Sequence, residues 1–166
     1  MKNNFIKILL TLIIITCSAC TNNNLIGIST PWSDCQDNLN KAAEIAGFQF
    51  PMLLSNYTVR AMKDMIEITY PLDETRYVTV RKSQSEVNNG DNSGDYTKYV
   101  QNTILALPNG VDINIRGNND KIYVMYFGAE SGYYSARCEQ GMTKEEVEGI
   151  FKVIEQVEAQ KLPPEA

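Results

Sequence analysis

Between Tyr57 and Cys138 the chain is cut into short runs in which apolar and polar residues alternate, each run bounded by turn-forming residues. A period of two puts successive side chains on opposite faces of a strand, and many such runs joined by tight turns leave few options besides an antiparallel sheet. Tyr57 to Lys63 is expected to pair with Met65 to Tyr70 across Asp64, and Pro71 to Glu74 then turns the chain into Arg76 to Lys82. These three strands make a meander. Thr103 to Leu107 and Val111 to Arg116 follow, joined through Pro108, Asn109 and Gly110. Gly117 to Asp120 reads as a hairpin turn, because Asn and Gly tolerate positive φ. Ile122 to Phe127 is apolar on both faces and is expected to be a central strand. Tyr133 to Cys138 is expected to close the sheet.

Two helices flank these runs. Asp37 or Asn38 supplies an N-cap for a helix ending at Gly47, with Leu39, Ala42, Ala43 and Ala46 as its apolar stripe. Phe48, Phe50, Met52, Leu53 and Leu54 then carry apolar side chains towards the core, and Pro51 stops the helix from continuing. Near the C-terminus Thr143 and Glu146 form a capping box, Met142 and Val147 a hydrophobic staple, and Val147, Ile150, Phe151, Ile154 and Val157 a buried stripe. The expected fold is therefore α+β: an antiparallel sheet of six or seven strands, flat or curved, flanked by an N-terminal and a C-terminal helix.

The first twenty residues do not belong to that fold. Lys2 and Lys7 precede an apolar run, Ile8 to Ile15, which is too short for the roughly 20 residues a bilayer-spanning helix needs. A signal peptide fits instead. Ser18 and Ala19 are small, and with Cys20 they resemble the cleavage box of bacterial lipoproteins, although Cys17 stands where Leu, Ile or Val is usual. The resemblance implies cleavage after residue 19, a lipid on Cys20 and a membrane-anchored, extracytoplasmic protein. An ordinary secreted protein cut at the same place is the alternative. Residues 20–31 then read as a flexible tether, 32–160 as one domain and 161–166 as a tail.

Loss of Lys2 and Lys7 takes the net charge from −5 to −7. So acidic a chain is a poor partner for nucleic acid and for anionic headgroups, which leaves the acyl chains on Cys20 as the membrane contact. Of the four cysteines, Cys17 leaves with the leader and Cys20 is lipidated. Cys35 and Cys138 remain, and in an exported domain they are expected to form a disulfide, stabilising by roughly 4 kcal/mol through a loop of about 100 residues. Two buried reduced thiols are the other reading.

Trp32 and Cys35 ahead of the first helix, Ala42 to Phe48, Met65 to Tyr70, Val80 to Lys82, Ser93 to Tyr96 with Tyr99, and Arg116 to Asn118 before Lys121 follow one another in an order that resembles a known family. These are small extracytoplasmic domains of unknown function, found in lipoproteins of bacteria such as clostridia and at the outer ends of anti-sigma-factor-like membrane proteins. The resemblance spans Trp32 to Glu155. It implies an exported α+β domain and carries over no catalytic residue.

The residues point the same way. The chain has no histidine, which removes His-based triads and His metal sites, and neither a Ser-x-x-Lys nor a Gly-rich phosphate loop occurs. No cofactor, metal ligand or catalytic residue is assigned. Glu86, Asn88, Asn89, Asp91, Asn92, Ser93 and Asp95 surround Gly90 and Gly94 in a loop with some calcium-like spacing, but the distal bidentate Glu of a calcium loop is missing, so a solvated surface loop is expected. Trp32 is expected to pack on the domain body. Of nine tyrosines, Tyr123, Tyr126, Tyr133 and Tyr134 fall on adjacent strands and offer an aromatic surface for a glycan, a peptide or another small ligand. The function expected is non-enzymatic binding of a ligand or protein at the cell envelope. The alternatives are a carboxylate-based envelope enzyme and a sensor or inhibitor that docks a partner along a sheet edge.

Overall fold

A computed structural model describes residues 31–50 and 56–159. The leader, Cys20, the tether up to Thr30, Pro51 to Leu54, the side chain of Val157 and the 161–166 tail lie outside the described residues. The fold is α+β, with eight strands in one antiparallel sheet and two helices among the described residues, rather than six or seven strands. In chain order these are β1 (Ser33–Gln36), α1 (Leu39–Ala46), β2 (Thr58–Met62), β3 (Met65–Pro71), β4 (Tyr77–Ser83), β5 (Gln101–Ala106), β6 (Asp112–Asn118), β7 (Lys121–Ala129), β8 (Gly132–Met142) and α2 (Lys144–Ala159). The strand missed from sequence is β1, whose four residues show no alternation and which bulges between Asp34 and Gln36.

The sheet order is β1-β2-β3-β4-β8-β7-β6-β5. Two meanders, β1 to β4 and β5 to β8, lie side by side and are joined by the antiparallel pair β4–β8. Tyr133 to Cys138 therefore does not close the sheet at an edge; it belongs to β8, which pairs with β4 on one side and β7 on the other. The segment Ile122 to Phe127 is interior, within β7, but the middle of the sheet is the β4–β8 pair. Both helices cover one face. Ala42 and Ala46 of α1 join Val59, Ala61, Ile66 and Ile68 in the core, and Val147, Ile150, Phe151 and Ile154 of α2 join Ile122, Met125, Phe127 and Tyr134.

The local signals explain where the helices start and stop. The Asn38 side chain accepts a hydrogen bond from the Lys41 amide at 3.0 Å, and Gly47 ends α1 at φ 82°. At α2 the Thr143 amide donates to Glu146 at 2.8 Å and the Glu146 amide donates to Thr143 Oγ1 at 3.3 Å. Each pair satisfies amides that the first turn of a helix leaves open.

The expected disulfide is not formed. Cys35 and Cys138 are separate buried thiols. The strand order explains why: β2, β3 and β4 lie between β1 and β8, so the two thiols are about 19 Å apart along the sheet at ~4.8 Å per strand. A disulfide needs Cα atoms within about 7 Å.

Among the described residues one charged side chain of the sheet is fully buried on the helix face. Lys82 of β4 is buried, donates from Nζ to Ser131 Oγ at 2.6 Å and to Glu158 Oε1 at 3.1 Å, and lies over the rings of Phe48 and Tyr134. The Tyr134 hydroxyl also donates to Glu158. Partial burial pushes the Glu158 carboxyl up, but bonds from Ser131, Tyr134 and Lys82 outweigh it and hold the group at about 2. A carboxylate in the last turn of a helix faces the negative end of its dipole, so Lys82 offsets a local repulsion as well as pairing a charge. Because the folded pKa lies below the ordinary value of 4.5, the unfolded chain takes up more protons between that pH and about 2, and the stabilisation from Glu158 is lost as pH falls through this window. Urea unfolding should find Glu158→Gln less stable than the native chain at neutral pH, with the gap closing as pH falls towards about 2; a gap independent of pH contradicts this account.

Candidate functional site

To pass from β4 to β5 the chain must cross the positions of β8, β7 and β6, about 19 Å at ~4.8 Å per strand. Residues 84–100 make this crossing as a strap over the sheet face opposite the helices. That face is built from the other half of each alternation: Arg60, Glu67, Arg81, Ser135, Arg137, Val124 and Arg116. Its polar side chains lie on interior strands; the strap covers those of β8, β7 and β6 in part, and Trp32 lies against Arg60 and Arg81.

Glu67 is the buried centre of this face. Register places Arg60, Glu67 and Arg81 side by side on β2, β3 and β4. The Glu67 carboxylate, 3% exposed, accepts from Arg60 Nε at 2.8 Å and from Arg81 Nε at 2.7 Å. The Trp32 ring stacks against both guanidinium groups, at 5.5 Å from Arg60 and 5.1 Å from Arg81. Trp32 thus packs on the body of the domain as expected, but on its polar side.

Arg81 also holds the strap, donating from Nη1 to the Asn92 carbonyl at 3.1 Å. Asn92 in turn donates from Nδ2 to Ser83 Oγ at 2.9 Å and to the Tyr133 carbonyl at 3.0 Å. A second arginine grips the strap further along. Arg116 pairs with Asp91 at 2.7 Å, donates to Ser93 Oγ at 3.2 Å and to the Asp95 carbonyl at 2.7 Å, and lies over the Tyr99 ring. Tyr99 donates to Asp95 Oδ2 at 2.8 Å and stacks on Tyr123 with ring centroids 5.2 Å apart. Burial pushes the Asp95 carboxyl up, yet hydrogen bonds from Thr97 and Tyr99 and the charge of Arg116 outweigh it and leave it below the usual range. Asn92 Oδ1, Arg116 Nε and Ser135 Oγ are buried at this layer without a protein partner among the described residues. Asn92 and Ser93 are each 2% exposed and Gly90 is buried, so the 83–95 loop is packed at these points. Gln84, Ser85, Glu86, Asn88, Asn89 and Gly94 are exposed, as a solvated loop would have them. Among the described residues no acidic or thiol side chains converge as metal ligands.

Two open depressions flank the strap where it crosses β6 and β7. One, of about 570 Å³, is lined by Asn88, Asp91, Lys98, Asn102 and Arg116; the other, of about 540 Å³, by Asn118, Tyr123, Arg137 and Glu139. Gly94 to Thr97 and Tyr99 form the wall common to both, topped by Tyr96, 82% exposed.

The four tyrosines named from sequence do not make one surface. Tyr134 is fully buried on the helix face, stacked on Phe127 at 5.5 Å, because alternation turns it away from Tyr133. Tyr133 and Tyr126 lie against the strap at Gly90. Only Tyr123 borders a depression, and it is joined there by Tyr99 and Tyr96. Arg81, Arg116 and Glu67 were not singled out from sequence, although their parity within the strands was there to be read: each sits opposite to its strand's apolar set.

Comparison of the chain with protein-family models, curated proteins and solved structures found no match in any of the three.

The strap depends on the close approach of Gly94 to Arg81. Gly94 has φ +69°, and a Cβ there would stand 2.2 Å from Arg81 Nη1. Gly94→Ala should therefore destabilise the chain by about 1 kcal/mol or more and speed amide exchange at Ser93, Asp95 and Thr97 while β7 and β8 stay protected. Unchanged exchange in the strap would contradict this role for Arg81.

Proposed function

We propose that this chain is a lipid-anchored extracytoplasmic module that binds a ligand on the strap face, without catalysing a reaction. The observation that carries the proposal is the pair of depressions around a shared, exposed tyrosine wall, held on a sheet by two arginine clamps. Binding sites need concave, fixed polar groups beside apolar or aromatic surface. Here Tyr96, Tyr99 and Tyr123 supply ring faces, while Asn102, Asn118 and Arg137 supply donors and acceptors next to them. That combination suits a polar ligand such as a glycan or a short peptide better than an apolar one. The resemblance to small extracytoplasmic lipoprotein domains supports the same reading.

A carboxylate-based enzyme finds less support. A general acid needs a carboxyl pushed up towards neutral pH. Asp73, Asp95, Glu145, Glu146 and Glu158 are all displaced downward, as fixed anions are. The anchor rests on the leader and on Cys20. No helix among the described residues is long and apolar enough to cross a membrane.

Two measurements test the two halves of the proposal. Mass spectrometry of the N-terminal peptide from the membrane fraction of expressing cells should show cleavage before Cys20 and an acylated cysteine; an unmodified Cys20 overturns the anchor. Nuclear magnetic resonance titration with a soluble N-acetylglucosamine oligosaccharide and with a peptidoglycan stem peptide should shift the ring signals of Tyr96, Tyr99 and Tyr123 for at least one probe. The response should be lost in Tyr96→Ala, whose exposed ring the fold does not need. A chain indifferent to both probes, or one whose response survives Tyr96→Ala, counts against the strap face.

A further inference from the structure

The outer edge of β5 differs from every other part of the sheet. Among the described residues no strand pairs beyond it, and all its side chains are exposed except half-buried Leu105. An unpaired edge is a template for another strand, and proteins usually blunt it with charge, proline, a bulge or shortness. The opposite edge, β1, has such protection: it is four residues long, carries Asp34, bulges, and has Gln36 at φ 57°. From Tyr99 to Ala106 there is neither a charged residue nor a proline. The same stretch carries two of the molecule's exposed large apolar side chains, Val100 at 90% and Ile104 at 60%.

We infer that β5 is a docking edge for β5 of a second copy of this chain, the two strands pairing antiparallel about a two-fold axis at Ile104. Three features of the strand favour a copy of itself. In that register Ile104 faces Ile104 of the second copy across the ladder, so each covers the other's exposed side chain. Thr103 then faces Leu105, and Asn102 faces Ala106, leaving no like charges opposed. The charges flanking the strand complement one another as well. Exposed Lys98 lies three residues before the strand and exposed Asp112, on β6, lies beside its last residue, so antiparallel pairing puts the basic end of each copy at the same end of the ladder as the acidic end of the other. A ladder of five residues, Asn102 to Ala106, buries less than the roughly 1,200 Å² typical of stable complexes, so the dimer is weak and concentration-dependent. The pairing borders the strap depression that Asn102 lines and leaves the other clear, and it does not rest on the ligand-binding reading.

Sedimentation of the chain from Thr21 onward should show a reversible monomer–dimer equilibrium that Ile104→Lys abolishes. Mixing Ile104→Lys with Ile104→Glu should restore association as a heterodimer, since the two positions then oppose unlike charges. Under mild oxidation Ile104→Cys should cross-link to its copy much faster than Val100→Cys, which the same register carries far from its counterpart; Cys35 and Cys138 are buried and do not compete. Circular dichroism checks that each variant is folded. A chain that stays monomeric up to millimolar concentration, a dimer that survives Ile104→Lys, or equal cross-linking at the two positions overturns the proposal. A monomer that instead captures an added extended peptide along β5 overturns it too.

Discussion

The carboxylate of Glu67 is the point on which the strap side of this molecule depends. A charge buried in the middle of a sheet costs several kcal/mol of lost hydration, and only close opposite charge makes it tolerable. Arg60 and Arg81 supply that charge from the flanking strands, in register, and Trp32 covers their outer faces. With its Nε committed to Glu67, Arg81 is held in one orientation, and its Nη1 points up at the Asn92 carbonyl. A guanidinium pre-set in this way loses little further freedom in gripping the strap. The long crossing from β4 to β5 thus lies on a prepared surface.

Topology creates the need for that crossing. Two meanders joined along β4 and β8 require the chain to leave the middle of the sheet and restart at its far edge before it can work back. Seventeen residues without helix or strand would ordinarily be mobile, but this segment is sealed at Arg81 and again at Arg116. The polar atoms it buries are mostly bonded to the strap's own backbone and to the sheet. The tyrosine wall is carried by a segment with few conformations open to it, and recognition is favoured when the groups that make it are already in place.

Strand β4 serves both faces. Arg81 points to the strap and Lys82, the next residue, points the other way, into the cluster with Ser131, Tyr134 and Glu158 at the last turn of α2. One cation per face fastens one irregular or terminal element to the central strand pair. Apolar packing supplies most of the cohesion on the helix side, and Lys82 fixes where the end of α2 lies. On the strap side, where few large apolar groups are available, ion pairs and stacked rings take over the positioning.

Much of this was legible in the residues. The turns at Asp64 and Asn119, the caps at Asn38, Gly47 and Thr143, and the strands β2, β3, β4, β6 and β7 follow from short-range rules, because turn chemistry and alternation act between neighbours. What alternation cannot give is the order of the strands, since pairing partners far apart in sequence are chosen by the whole chain's packing. The two main misreadings follow from that. Residue chemistry alone pairs Cys35 with Cys138 although three strands separate them, and puts four neighbouring tyrosines on one surface although period two and the strap divide them. The polar loop has the composition of a solvated loop and is exposed at Gln84 to Glu86, Asn88, Asn89 and Gly94; the burial of Asn92 and Ser93 follows only from the strand order that carries the loop across the sheet. The sequence by itself determined the α+β class, the helix ends and which side chains share a face. Only the tertiary structure decided that the second face is covered, that Arg81 and Arg116 clamp its cover, and that Tyr96, Tyr99 and Tyr123 meet there, because each of these depends on contacts between segments that no local pattern links.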